Sequence, residues 1–83
     1  MNINDVSDKL CEEIALVAGI DSSEIDAELS LADNGVNSLG FVELILAVEQ
    51  QFEIKLMDSG LTKDNLSSIN ALAEKIVQLN ENK

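Results

Sequence analysis

The chain has 83 residues and sets 16 Asp plus Glu against five Lys plus Arg, a formal net charge of -11. That balance excludes nucleic acid as a partner and favours either basic protein surfaces or a solubilising shell. The length suits one domain over residues 1–83, with a core but no roomy catalytic cleft.

Hydrophobic residues make up 46% of the chain, aromatics only 2%, and Trp, Tyr and Pro are absent, so the core is aliphatic and the class all-α. The N-terminus, Met1-Asn2-Ile3-Asn4-Asp5, has neither the basic region nor the apolar run of a signal peptide. The apolar stretch 39–48 is short and carries Glu43, so it cannot span a membrane. Cys11 stands alone and reads as small packing filler in a reducing compartment, with the cytoplasm as the expected location.

In chain order, Val6, Leu10, Ile14 and Val17 recur at helical spacing and predict a first helix over 4–18, with Asn4 as its cap and Gly19 as its stop. Residues 20–37 form a long connection rich in Asp, Ser and Glu, with Ile25, Leu29, Leu31 and Val36 as hydrophobic anchors. A connection of that length in a small domain points to function. A second helix is predicted over 38–52, a short helical turn over 62–66, and a last helix from a Ser68 cap to about residue 79. Ile69, Leu72, Ala73 and Ile76 are its core stripe, and 80–83 are expected to fray. The whole is a four-helix bundle with a long first loop and a short third helix.

On the second helix, Phe41, Leu44, Ile45, Val48 and Phe52 share a narrow arc that faces the core. The opposite arc holds Leu39, Glu43, Leu46 and Gln50, flanked by Glu49 and Glu53. Leucines turned outward among carboxylates describe a docking face. Ser38 lies at the mouth of this helix. Asn37 and Ser38 both suit a helix cap, and the same position suits an attached phosphate, which the free N–H groups and the positive dipole end would favour.

The run Gly35-Val36-Asn37-Ser38-Leu39-Gly40-Phe41-Val42-Glu43-Leu44, continued by Ala47-Val48-Glu49 and Phe52-Glu53-Ile54, resembles the acyl and peptidyl carrier proteins, whose usual pattern is Gly-x-Asp-Ser-Leu before an amphipathic helix. The resemblance extends over nearly the whole chain. It implies that Ser38 carries 4'-phosphopantetheine, placed there from coenzyme A by a phosphopantetheinyl transferase. It also implies that the arm's thiol holds an acyl or aminoacyl group as a thioester. The carrier itself is no enzyme. Its implied partners are the transferase, an acyl- or aminoacyl-loading enzyme and downstream synthase or transferase enzymes. Asn37, Leu39, Glu43, Leu46 and Glu49 are the implied docking residues, and a monomer is expected.

The chain departs from the family pattern at several places. Asn37 replaces the usual Asp, which removes a charge beside the serine; a charge-assisted hydrogen bond contributes roughly 1.5–3 kcal/mol against about 1 for a neutral one. Slower modification is the expected consequence. Asn34 replaces a frequent Leu, exchanging a loop anchor for a turn residue. Gly40-Phe41 replaces polar residues, and 57–61 is slightly longer than in fatty-acid carriers; both lean toward polyketide or nonribosomal peptide pathways, with fatty-acid synthesis as the alternative.

Competing readings fare worse. A calcium loop starting at Asp33 puts Ser38 where Gly is required and Leu44 where the bidentate Glu belongs. The chain has no His, and neither Ser38 nor Cys11 has a base in sequence to activate it. The remaining rival is a module that keeps the carrier fold and docking face without ever receiving the arm.

Overall fold

The structure, a computed structural model, describes residues 2–82. Its α-helices are α1 (Ile3–Ala18), α2 (Ser38–Phe52) and α3 (Ile69–Glu81), joined by segments with single 3₁₀ turns at Ser22–Glu24, Ala32–Asn34, Met57–Ser59 and Asp64–Leu66. No strand occurs among the described residues. The all-α class is as expected.

The short third helix expected over 62–66 is a single 3₁₀ turn, so the count of four helices is not confirmed. Within 62–66 only Asp64–Leu66 turns, because Thr62 and Asn65 tie each other into a tight loop. The Thr62 N–H and Oγ1 donate to Asn65 Oδ1 at 3.0 and 3.1 Å, and the Asn65 N–H donates to Thr62 Oγ1 at 3.4 Å. Ser67 Oγ then donates to the Asp64 carbonyl at 2.8 Å, and Ser68 begins the cap of α3 at once. An α-helical ladder has no room to start.

The cap of α1 is Asn2 instead of Asn4: the helix begins one residue earlier, and Asn2 Oδ1 accepts from the Asn4 N–H at 2.8 Å. Gly19 closes it as expected, in the left-handed conformation, donating to the Ala15 carbonyl. Cys11 is half-buried against the core, and burial pushes its thiol pKa up, consistent with a packing role. Ser68 caps α3 by accepting from the Ala71 N–H at 3.0 Å. The fraying expected from residue 80 is not seen at Asn80 and Glu81. Asn80 Nδ2 donates to the Phe52 carbonyl at 3.3 Å, which fastens the last turn of α3 to the end of α2; Lys83 lies outside the described residues.

One buried cluster unites the three helices. Val6, Leu10 and Ile14 of α1 meet Leu44, Ile45, Val48 and Phe52 of α2 and Ile69, Leu72, Ala73 and Ile76 of α3. Leu31 and Val36 enter it from the first loop, and Ile54 and Leu56 from the segment after α2. Each fully buried aliphatic side chain stabilises by about 1.5–3 kcal/mol relative to exposure. Phe41, placed on the core arc by sequence, is only half-buried.

The first turn of α2 lies very close to α1. A Cβ on Gly40 would fall 2.6 Å from Val17 Cγ1 and 3.3 Å from Asn37 Oδ1. Val17 is β-branched and has little rotamer freedom in a helix. Gly40→Ala therefore adds an overpacking cost of about 1–3 kcal/mol, only partly offset by about 1 kcal/mol of helix propensity. The expected result is a lower urea midpoint by circular dichroism, and Val17→Ala in the same chain should recover part of the loss, giving a non-additive double-mutant cycle.

Candidate functional site

Ser38 is the first residue of α2 and is exposed. The cap belongs to its neighbour: Asn37, in extended conformation, accepts from the Gly40 N–H at 2.7 Å, and the Phe41 N–H donates to the Asn37 carbonyl at 2.8 Å. This division leaves the Ser38 hydroxyl out of the cap. It also leaves the N–H groups of Ser38 and Leu39 at the open helix end, where no preceding turn supplies a carbonyl. A phosphodiester on Ser38 Oγ fits these donors and the positive end of the dipole, since α2 has no acidic residue in its first turn.

The loop before Ser38 is held largely by polar contacts. Asn34 is buried, 7% exposed, and its carboxamide is fully used: Oδ1 accepts from the Asp26 N–H at 2.8 Å, and Nδ2 donates to the carbonyls of Asp26 at 3.0 Å and Ser30 at 2.8 Å. The residue expected from sequence to replace an anchor with a turn is itself an anchor. Of the expected hydrophobic anchors, Leu31 and Val36 are buried and Ile25 is half-buried, but Leu29 is 42% exposed. Leu29 anchors through its backbone instead. Its carbonyl accepts from the Ile69 N–H at 3.0 Å, and that of Ala27 from the Asn70 N–H at 3.0 Å, so the loop supplies acceptors to the start of α3. Earlier in the loop, Asp21 accepts from the Ser23 N–H, which holds its exposed carboxyl below its ordinary pKa.

Beside Ser38 opens a groove of about 460 Å³, lined mostly by apolar side chains including Leu31, Val36, Phe41, Val42 and Leu66. Ser38 and Asn37 stand at its rim together with Ser30. Half-buried Phe41 lines this groove.

The outward face of α2 shows Leu39 at 70% and Leu46 at 54% exposure, with Glu43 exposed between them. Val42 and Met57 are exposed as well, at 52% and 60%, and sequence reasoning named neither. Val42 was findable, since 39, 42 and 46 follow the i, i+3, i+7 spacing of one helix stripe. Met57 gave no such signal because it reaches α2 from the next segment, where a small cavity brings it together with Val42 and Leu46. Glu49 is half-buried, and its Oε2 accepts from the Met57 N–H at 3.1 Å. Its carboxylate thus braces that segment.

The Asn37 cap is testable by stability alone. Asn37→Ala should cost about 1 kcal/mol, the usual loss of a side-chain cap. Asn37→Asp should keep the hydrogen bond and gain about 0.3–1 kcal/mol from the helix dipole, a gain that salt diminishes and that vanishes as the carboxyl protonates at low pH. Urea unfolding at neutral and acidic pH, in low and high salt, checks both.

The family described as "Phosphopantetheine attachment site" matches this chain over residues 8–76. An acyl carrier protein of Clostridium acetobutylicum is 42% identical over 59 residues, covering 70% of this chain and 77% of the relative. The aminoacyl carrier protein 2 of Bradyrhizobium diazoefficiens is 36% identical over 56 residues, covering 68% of this chain and 63% of the relative. With an exposed serine at the mouth of a capped helix and a family match that spans most of α1 through α3, the chain belongs to the phosphopantetheine-bearing carrier proteins.

Proposed function

We propose that Ser38 is the attachment point of 4'-phosphopantetheine and that the protein tethers acyl or aminoacyl intermediates of a polyketide or nonribosomal peptide type pathway. One observation carries the reading of the serine: Asn37 makes the cap, which frees an exposed Ser38 hydroxyl at the open end of α2. When bound, the group supplies a terminal thiol that holds cargo as a thioester.

The chain's own residues divide the remaining work. Ser38 Oγ provides the ester oxygen. With no His in the sequence, removal of its proton falls to the phosphopantetheinyl transferase, in keeping with a carrier that performs no chemistry itself. The N–H groups of Ser38 and Leu39 face the phosphodiester, and the cap bond keeps them in place. Leu39, Glu43 and Leu46 form the surface that the transferase, the loading enzyme and downstream synthases read. The net charge of -11 attracts their basic surfaces. Glu49 supports that surface through Met57, and Asn37 contacts the transferase without a charge.

The names of the relatives cover both acyl and aminoacyl cargo. Gly40 owes its identity to its contact with Val17, so it carries no weight for the pathway. Phe41 does, because it lines the groove beside Ser38, where a cargo group would lie. A carrier of fatty-acid synthesis is the alternative context.

Intact-protein mass spectrometry after incubation with coenzyme A, magnesium and a broad-specificity phosphopantetheinyl transferase tests the attachment. Wild type should gain one phosphopantetheine group. Ser38→Ala should gain none while keeping its helical circular dichroism, since Asn37 retains the cap. A gain in Asn37→Asp but not in wild type would instead favour an unmodified interaction module, the reading that the neutral Asn37 supports. For the docking face, Glu43→Lys should slow arm attachment at low ionic strength and flatten its salt dependence, because it reverses a charge at the centre of the stripe. Unchanged rates at low salt would remove Glu43 from that face.

A further inference from the structure

We infer that Asn34 is a positioning residue for arm attachment: its buried carboxamide latches the first loop shut and thereby fixes the segment that presents Ser38 to the transferase. This rests on the reading of Ser38 as the attachment point. The carboxamide can satisfy its three partners in one orientation only, with Oδ1 toward the Asp26 N–H and Nδ2 toward the carbonyls of Asp26 and Ser30. It closes the loop between residues 26 and 34 on itself.

From Asn34 onward the backbone is pinned residue by residue. The N–H of Asn34 donates to the carbonyls of Ser30 and Leu31 at 3.2 and 3.1 Å, that of Gly35 to Ala32 at 3.0 Å, and that of Val36 to Leu31 at 3.0 Å. Gly35 makes the turn in the left-handed region, φ 92, and Val36 is buried. Asn37 then caps α2 and Ser38 follows. Hydrogen-bonded backbone over 34–36 thus leads from the latch into the Asn37 cap beside the serine. Asn34 does not line the groove at Ser38 and contacts none of the reacting atoms, so it acts only on how often the loop holds the presented form.

That distinction decides the kinetics. If an open latch leaves the carrier in its presented form for a fraction f of the time, the apparent affinity for the transferase falls by that fraction, while the bound carrier reacts at an unchanged rate. Asn34→Asp keeps the shape and the acceptor but loses both donors and sets a carboxylate against two carbonyls. A presented fraction of roughly one fifth then raises KM for the carrier about fivefold at constant kcat.

The experiment measures arm attachment to wild type and Asn34→Asp at varied carrier concentration, with amide hydrogen exchange on both proteins. Asn34→Ser, neutral and too short to span both carbonyls, serves where Asn34→Asp loses its helical circular dichroism. Expected are a protected Asp26 amide in wild type, faster exchange there in the variant, and a KM increase without loss of kcat. An Asp26 amide that exchanges freely in wild type overturns the latch. Unchanged KM despite faster exchange, or a fall in kcat at constant KM, overturns the positioning role. Wild type that accepts no arm fails at the first step and overturns the reading of Ser38 itself, an outcome separate from any difference between the variants.

Discussion

The arrangement of this carrier depends on the close approach of α1 and α2 at Gly40. Where a Cβ would come within 2.6 Å of Val17 Cγ1, only a glycine lets the two helices settle at this separation. The contact sets the rotation of α2 about its axis. Residues at 44, 45 and 48 continue the buried side, and residues at 39, 42, 43 and 46 are left outside. Ser38 stands two residues before Gly40 as the first residue of α2, and its place at the helix mouth, where no preceding turn covers it, leaves it exposed.

The first loop answers a different physical problem. Ordering a long irregular segment costs about 1–2 kcal/mol per residue in backbone entropy, and the apolar content of this loop is modest. Leu31 and Val36 offset part of that by burial. Polar closure adds to this, the carboxamide of Asn34 making three hydrogen bonds within the loop. The loop also does work for the rest of the fold. The carbonyls of Ala27 and Leu29 receive N–H groups from Ile69 and Asn70, donors that a helix start otherwise leaves to water. The start of α3, the latch and the approach to Ser38 are therefore tied together by backbone.

This distribution explains what the sequence disclosed and what it hid. The three long helices follow from periodicity, because a core-facing stripe such as Ile69, Leu72, Ala73 and Ile76 repeats with the helix itself. The stop at Gly19 and the cap at Ser68 were legible for similar reasons, each being the residue type its backbone position requires. The short turn within 62–66 was placed as well, but its 3₁₀ form was not, since the bonds exchanged by Thr62 and Asn65 select a tighter turn. Nor was the role of Asn34, because a buried polar residue reveals itself only when its partners, eight and four residues away, are seen to converge on it. The place of Ser38 at the mouth of α2 and the outward stripe of Leu39 and Leu46 were visible in the motif and its spacing. Met57 joins that stripe only through tertiary structure.

The neutral residue beside Ser38 has consequences that run in two directions. Asn37 caps α2 with a 2.7 Å hydrogen bond, so the fold loses little by lacking the carboxylate usual in this family. A basic transferase surface, however, is drawn less strongly to an uncharged cap, which weakens the encounter before attachment. Once a phosphodiester is in place the sign reverses. A carboxylate at position 37 would set two anions at one helix end, where they would repel each other. On the proposed reading of Ser38, Asn37 and the lack of an acidic residue in the first turn of α2 would leave a phosphodiester there with no competing anion in that turn. On that reading, the substitution would disfavour the approach of the modifying enzyme and favour the modified product.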